Sequence, residues 1–357
     1  MSEKMIPWSN AYDANRITLM DALPLSLPLC ICIEPTNVCN FKCQMCWQST
    51  KAYHEQGGPF MPMDMELLDK FLRDAQDFCR ATGKKIKLIK LYSTGEPLLH
   101  KNIGEMIHHI KEAEICDQIE ITTNASLLSE RLAKEFVDYG LDYLRVSIYS
   151  VRKDHHKEVT QANVTPEAIA QNVRFLYDYR IKQNKQKPFI CAKIMDMGEV
   201  ENEEFRQLYA PFSDEQLIDI PWELPKSEES ALSKLYGSKE AGAEAQKKYI
   251  ENSVFKHRKA CRYPFTHMTV RSNGDVVVCC TDWSRDTKMG NLRESTLQEI
   301  WESKRLYDFR IMQLKTKGVH HPLCATCELP MHDRPEDAID ELPVERLSWN
   351  NKKENPT

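Results

Sequence analysis

Several things are missing from this chain, and each absence closes a class of function. There is no excess of positive charge: 48 basic residues stand against 53 acidic ones, a net charge of −5. That balance offers no electrostatic footprint for nucleic acid. No apolar run is long enough to span a bilayer, and the opening Met1-Ser2-Glu3-Lys4-Met5-Ile6-Pro7 lacks the apolar core of a signal peptide. The expectation is a soluble, cytoplasmic protein with neither a membrane nor a nucleic-acid partner.

Cysteine is what the chain does not lack. It has 13, an odd number, in a long chain without a secretion signal, which argues against a disulfide framework. In a reducing compartment, clustered thiols are better read as metal ligands. Cys30, Cys32, Cys79, Cys116 and Cys191 sit singly within apolar patterns and read as small buried hydrophobes. The rest fall into two groups: Cys39, Cys43 and Cys46, then Cys261, Cys279, Cys280, Cys324 and Cys327.

The first group has the pattern C-x3-C-x2-C and follows Leu29-Cys30-Ile31-Cys32-Ile33, which reads as a buried strand. Three thiolates on a loop leaving a strand suit a [4Fe-4S] cube with one iron left open, because full thiolate ligation takes four cysteines. The competing reading is a structural zinc loop, which usually wants paired C-x2-C knuckles and a fourth Cys or His. The stretch resembles the signature of the radical S-adenosylmethionine (SAM) enzymes. That resemblance implies that SAM's amino and carboxylate groups take the open iron. Met45 and Trp47, flanking Cys46, read equally as packing around the adenine of SAM and as ordinary core residues.

Residues 1–28 are irregular, with prolines at 7, 24 and 28. From 29 to about 222, short apolar runs alternate with amphipathic stretches. Strands are expected at 29–34, 86–92, 118–122, 143–148, 189–195 and 217–220, and helices at 64–80, 103–113, 129–139, 166–181 and 201–208. In the first helix Leu67, Leu68, Phe71, Leu72, Ala75 and Phe78 recur at helical spacing. In the third, Ser129 is a natural N-cap and Gly140 a natural stop. Alternating βα units imply an α/β fold with a parallel sheet and right-handed crossovers. Six units are too few for a closed eight-fold barrel; the count is compatible with the partial (β/α)6 barrel that the resemblance implies. Residues 223–260 read as a linker with an exposed helix over 239–248, either solvated or covering the barrel mouth. Residues 331–357 are expected as an ordered edge and a disordered tail.

In such sheets ligands gather at the carboxyl ends of the strands. After the second strand, Ser93-Thr94-Gly95-Glu96-Pro97 is similar to the family's Gly-Gly-Glu-Pro element, with Thr94 in place of the first glycine. The resemblance implies that Glu96 accepts hydrogen bonds from SAM's ammonium, while Gly95 lets backbone approach closely. Thr122-Thr123-Asn124 resembles the family's Thr-Asn-Gly turn, with Ala125 replacing the glycine. Ser147 stands where the family places a hydroxyl near SAM's ribose and carboxylate, and Lys193 on the next strand is placed to face that carboxylate. Each taken alone is an ordinary turn or a solvated strand-end residue; the four in strand order behind the cysteine loop are not.

The second group follows C-x12-G-x4-C from Cys261 through Gly274 to Cys279, then Gly290-Asn291-Leu292, a short helix at Leu297–Trp301, and Cys324-x2-Cys327. Asn273-Gly274-Asp275 makes a hairpin turn between Met268–Val270 and Val276–Val278. The pattern over 261–330 resembles a SPASM/twitch module, a β-hairpin plus helix. The resemblance implies one auxiliary [4Fe-4S] cluster on Cys261, Cys279, Cys324 and Cys327. A zinc ribbon is the alternative, although Cys261 has no C-x2-C partner. Cys280 reads as an inert neighbour or as a free thiol able to donate hydrogen.

With two [4Fe-4S] clusters and SAM as cofactors, the resemblance implies reductive cleavage of SAM and hydrogen abstraction from a substrate C–H. The module's spacing is similar to that of the aminocyclitol dehydrogenase of butirosin biosynthesis, so oxidation of a carbohydrate- or cyclitol-like alcohol is the first expectation. The auxiliary cluster would take the surplus electron. Redox-neutral epimerisation with Cys280 as hydrogen donor is the second. Maturation of a ribosomal peptide is the third, with 38 residues before Cys39 leaving little room for a leader-binding domain. Expected partners are a small-molecule or peptide substrate and a flavodoxin- or ferredoxin-like electron donor.

Overall fold

The computed structural model describes residues 18–219, 223 and 230–347. The opening segment to 17, residues 220–222, the turn-rich stretch 224–229 and the tail from 348 lie outside the described residues. No helix among the described residues is long and apolar enough to cross a membrane.

Strands β1 (Cys30–Ile33), β2 (Ile86–Leu91), β3 (Cys116–Thr123), β4 (Tyr143–Ile148), β5 (Phe189–Met195) and β6 (Glu215–Asp219) pair in parallel in that order. Three more follow: β7 (His267–Val270), β8 (Asp275–Val277) and β9 (Lys288–Asn291). β7 lies parallel to β1, β8 pairs antiparallel with β7, and β9 pairs antiparallel with β8. The result is an open nine-stranded sheet, a partial (β/α)6 barrel whose first strand also carries the C-terminal hairpin.

The helices form where the sequence offers an apolar stripe between capping residues. Met65–Thr82 starts at Asp64, whose side chain accepts from Leu67 N–H, and ends at Gly83 in the left-handed conformation. Glu130–Asp138 starts the same way at Ser129. The helix Lys304–Thr316 was not expected. It buries only Leu306, Phe309 and Gln313, too narrow a stripe to register as a period. Lys153–Thr160 was also not expected, being polar except for Val159.

The two faces of the sheet differ sharply. Ile31, Ile33, Ile89, Ile119, Ile121, Leu144, Val146, Ile190 and Ile194 pack with the helices in one apolar core. Because side chains alternate along a strand, the paired registers put Cys30, Cys32, Lys90, Glu120, Thr122, Arg145, Ser147, Cys191, Lys193 and Asp219 on the other face, inside the barrel. Of the five single cysteines expected to be small buried hydrophobes, Cys30, Cys32 and Cys191 are buried and Cys79 and Cys116 are half-buried. Cys79 and Cys116 pack against the apolar core, whereas Cys30, Cys32 and Cys191 stand on the ionic inner face.

Candidate active site

The loop carrying Cys39, Cys43 and Cys46 leaves the end of β1 and is held from several sides. Asn37 donates through Nδ2 to Pro59 O at 2.8 Å and accepts from Met61 N–H at 2.9 Å. Its carbonyl accepts from Tyr53 OH at 2.8 Å and from Gln48 Nε2 at 3.0 Å. Lys42 and Gln44 donate from their backbones to Thr160 O and Val159 O, so the unexpected helix Lys153–Thr160 is what steadies the loop's far side. Burial pushes the Cys39 thiol up to about 12 and Cys46 to about 11, and moves Cys43 the same way. Three neighbouring thiolates withdrawn from water without a countercharge are costly, and bound iron would supply that charge. Phe41 N–H already donates to Cys39 Sγ at 3.4 Å. Beside Cys46, the buried indole Nε1 of Trp47 has no hydrogen-bond partner among the described residues. These residues fit an iron–sulfur cluster with an additional ligand alongside.

Gly95 explains how the second strand end meets this loop. A Cβ there would lie 2.3 Å from Thr36 O and 2.5 Å from Val38 O, so the close approach is to the cysteine loop's own backbone. Thr94, the departure from a glycine, is the hub of a buried network. Its Oγ1 donates to Glu34 Oε1 at 2.6 Å and accepts from Tyr53 OH and Arg271 at 3.1 Å each. Glu34 in turn pairs with Arg271 at 3.2 Å, both side chains almost wholly buried. Arg271 belongs to the β7–β8 turn, so this pair ties the C-terminal hairpin to the first thiol loop.

Glu96 is buried, with its carboxyl pushed up to about 7 by that burial. It accepts from Thr123 Oγ1 at 2.5 Å, Leu98 N–H at 3.0 Å and Asn124 N–H at 2.9 Å. The carboxylate thus braces the ends of β2 and β3 against each other, a role the resemblance did not suggest. Asn124 also donates to Asn40 Oδ1 at 3.0 Å in the cysteine loop. Ala125 takes φ 55, so the turn keeps the left-handed geometry of a glycine despite its Cβ. Ser147 and Lys193 stand opposite each other on β4 and β5. The partner of Lys193 Nζ is Asp219 Oδ2 at 2.7 Å. Met45 is half-buried against the apolar core.

The second thiol set lines one cavity: Cys261, Cys279, Cys324 and Cys327, with Arg258, Tyr263 and Gln313 around them. Arg258 donates to Lys317 O at 2.7 Å, to Ala325 O at 3.1 Å and to Cys324 O. Gln313 Nε2 lies 3.4 Å from Cys324 Sγ and Thr281 Oγ1 3.1 Å from Cys279 Sγ. Burial pushes Cys324 to about 11 and Cys327 to about 12. A four-thiol donor set around one void, with polar groups on its sulfurs, fits a fully ligated cluster. Among the described residues, no three His, Cys, Asp or Glu side chains form a site for a single metal ion.

Cys280 does not line that cavity. It lines a second one of about 220 Å³, walled on the barrel side by Tyr92, Arg145, Lys193 and Asp219 and on the C-terminal side by Tyr249, Tyr263, His332 and Asp333. Sequence reasoning passed over Arg145, Asp219 and His332, and also Glu34 and Arg271. A signal existed for Arg145 as for Lys193: a charged residue set directly between apolar neighbours in a strand otherwise fit for full burial.

Comparison with known proteins agrees with this geometry. Residues 33–210 match the radical SAM superfamily, and residues 261–328 match SPASM, an iron–sulfur cluster-binding domain. A Pyrococcus furiosus protein named as a tungsten-containing aldehyde ferredoxin oxidoreductase cofactor-modifying protein is 26% identical over 330 residues, 83% of this chain and 86% of its own. The crystal structure of BtrN in complex with AdoMet and 2-DOIA is similar with a TM-score of 0.53 at 18% identity, over 85% of this chain and 93% of that one. Streptococcus suis SuiB bound to precursor peptide SuiA gives 0.57 at 18%, over 87% and 73%. At such identities the two structures speak for the fold alone.

Proposed function

This chain is a radical SAM protein with a C-terminal iron–sulfur cluster-binding domain, and we propose that it oxidises a carbohydrate- or cyclitol-like alcohol in the 220 Å³ cavity. When bound, SAM and the two clusters would supply radical hydrogen abstraction and an acceptor for the leftover electron. The chain's own residues bind and aim. Cys39, Cys43 and Cys46 hold the first cluster with one iron open, and Cys261, Cys279, Cys324 and Cys327 hold the auxiliary one. Gly95, Glu96, Thr123 and Asn124 set the strand-end floor on which SAM lies; Ser147, Lys193 and Met45 complete its surroundings. The first cluster, when bound, would draw its electron from a flavodoxin- or ferredoxin-like donor.

The observation that carries this reading is the position of the cavity. It is walled by the barrel's inner face, where Lys193 stands opposite Ser147. Its other wall shares Tyr263, Thr281 and Leu329 with the cavity of the second thiol set. A substrate there has the SAM side on one flank and an electron acceptor on the other. Anaerobically reduced enzyme with SAM and a metabolite extract should yield 5′-deoxyadenosine and a product lighter by two hydrogens.

A second reading has its own observation: Cys280 lines the same cavity. If Cys280 returns hydrogen to the opposite face, the product keeps its formula and gains one carbon-bound deuterium in heavy water. The Pyrococcus relative's name adds that a cofactor-like small molecule is a substrate class to include in the screen.

A further inference from the structure

Two residues that line this cavity on opposite walls each carry a buried polar atom with no hydrogen-bond partner among the described residues. Arg145 lines it from β4 with a side chain nine-tenths buried (9% exposed), and its Nε makes no hydrogen bond. Among the described residues its ionic contact is Glu120, at 3.4 Å. That is an ion pair too long for a good hydrogen bond. Glu120 also feels Lys90 and accepts from Thr122 Oγ1. Across the cavity His332, 9% exposed, stacks on Tyr249 and leaves its Nε2 unpartnered. A buried guanidinium that leaves a donor idle is expensive in a folded protein, where buried polar groups are nearly always satisfied.

The acids on the cavity wall do not meet this need. Asp219 is held by Lys193 at 2.7 Å and Asp333 by Arg262 at 2.8 Å. Each carboxylate therefore has a cation of its own, and Arg145 shares Glu120 with Lys90. Lys193 stands on the strand next to Arg145 and on the same inner face, one pleat further on. A planar fork of donors with an ammonium beside it matches a carboxylate or phosphate better than a lone hydroxyl.

We infer that the substrate carries an anionic oxygen group, a carboxylate or a phosphate, which accepts hydrogen bonds from Arg145 beside Lys193, while His332 contacts its polar remainder from the opposite wall. The inference rests on the reading of this cavity as the substrate chamber. It narrows the substrate class from alcohols in general to acidic or phosphorylated ones, and makes Arg145 the residue that selects among them.

The test is calorimetric titration of the full chain, reconstituted with iron and sulfide and left unreduced, with inorganic phosphate, malonate and the neutral myo-inositol. Phosphate, malonate or both should bind, and which of them does separates the two anion sources. Arg145→Lys keeps Glu120 neutralised, and the paired Arg145→Met/Glu120→Gln removes both charges together. Whichever folds should bind the anion at least about tenfold more weakly, the loss expected for one hydrogen bond to a charged group. Neither anion binding to the wild type, equal anion binding by a folded variant, or myo-inositol binding in place of the anions would overturn the inference. Formation of 5′-deoxyadenosine by the reduced wild type is scored separately. Its absence would count against the functional reading and leave the anion result standing.

Discussion

The two thiol sets are built in opposite ways. Cys39, Cys43 and Cys46 sit on one short loop, fixed by hydrogen bonds from Asn37, Gln48 and Tyr53 and by the backbone contact at Gly95. Cys261, Cys279, Cys324 and Cys327 come from separate segments that Arg258 and Gln313 stitch together. A local loop on a preformed strand end can exist before metal binds. A set gathered from distant segments couples metal binding to folding. The number of thiols differs in the same sense: under the proposed function, three would leave a corner for chemistry and four would close the site for electron transfer.

Arg271 is where the comparison can be broken most severely, because it joins the C-terminal hairpin to Glu34 at the first loop. Arg271→Met leaves a buried carboxylate uncompensated and should lower stability by about 3–5 kcal/mol in urea unfolding. Arg271→Met/Glu34→Gln should recover much of that loss; no recovery would show that the pair is not what Arg271 supplies.

Gly95→Ala should act on the first site alone. The added Cβ must displace backbone at Thr36 and Val38, an overpacking cost of about 1–3 kcal/mol. Iron should fall from about eight per chain toward about four. Full iron occupancy in this variant would show that the loop tolerates the shift.

Arg258→Met is the counterpart for the second site. It removes donors from the carbonyls of Lys317, Cys324 and Ala325, at roughly 1–3 kcal/mol for the acceptors left unsatisfied. Iron should drop by about half here too, with SAM cleavage retained. Loss of SAM cleavage would mean that the two sites are not independent.

The smallest effect is expected at Ala125, held at φ 55. Ala125→Gly relieves a left-handed residue and should stabilise the chain by about 1 kcal/mol in urea unfolding. A destabilised variant would mean that the buried methyl matters more than the backbone.

How much of this could be read beforehand follows from range. The strands Tyr143–Ile148 and Phe189–Met195 and the helix Leu297–Trp301 appear with the expected bounds, because each is written locally as an apolar run or a capped stripe. The cysteine spacings are local as well. The pairing of β7 with β1 is not, and no residue near His267 announces that the hairpin prolongs the barrel sheet. Nor could the sequence distinguish Cys79, half-buried against the apolar core, from Cys32, buried on the ionic face, since both sit among apolar neighbours. The motif singles out Glu96, but its bonds to Thr123, Asn124 and Leu98 depend on where β3 ends in space. Long-range partners of this kind decide what a buried polar residue does.

The claim that one thiol set is open and the other closed is tested most directly by electron paramagnetic resonance of the reduced, reconstituted protein with and without SAM. The wild type should carry about eight irons in two cubane clusters. SAM should shift the signal of one of them in the wild type and in Cys324→Ala/Cys327→Ala, and should shift nothing in Cys39→Ala/Cys43→Ala/Cys46→Ala, which keeps the other cluster. Stoichiometric zinc in place of iron, or a SAM-dependent shift that survives the triple substitution, would contradict the account.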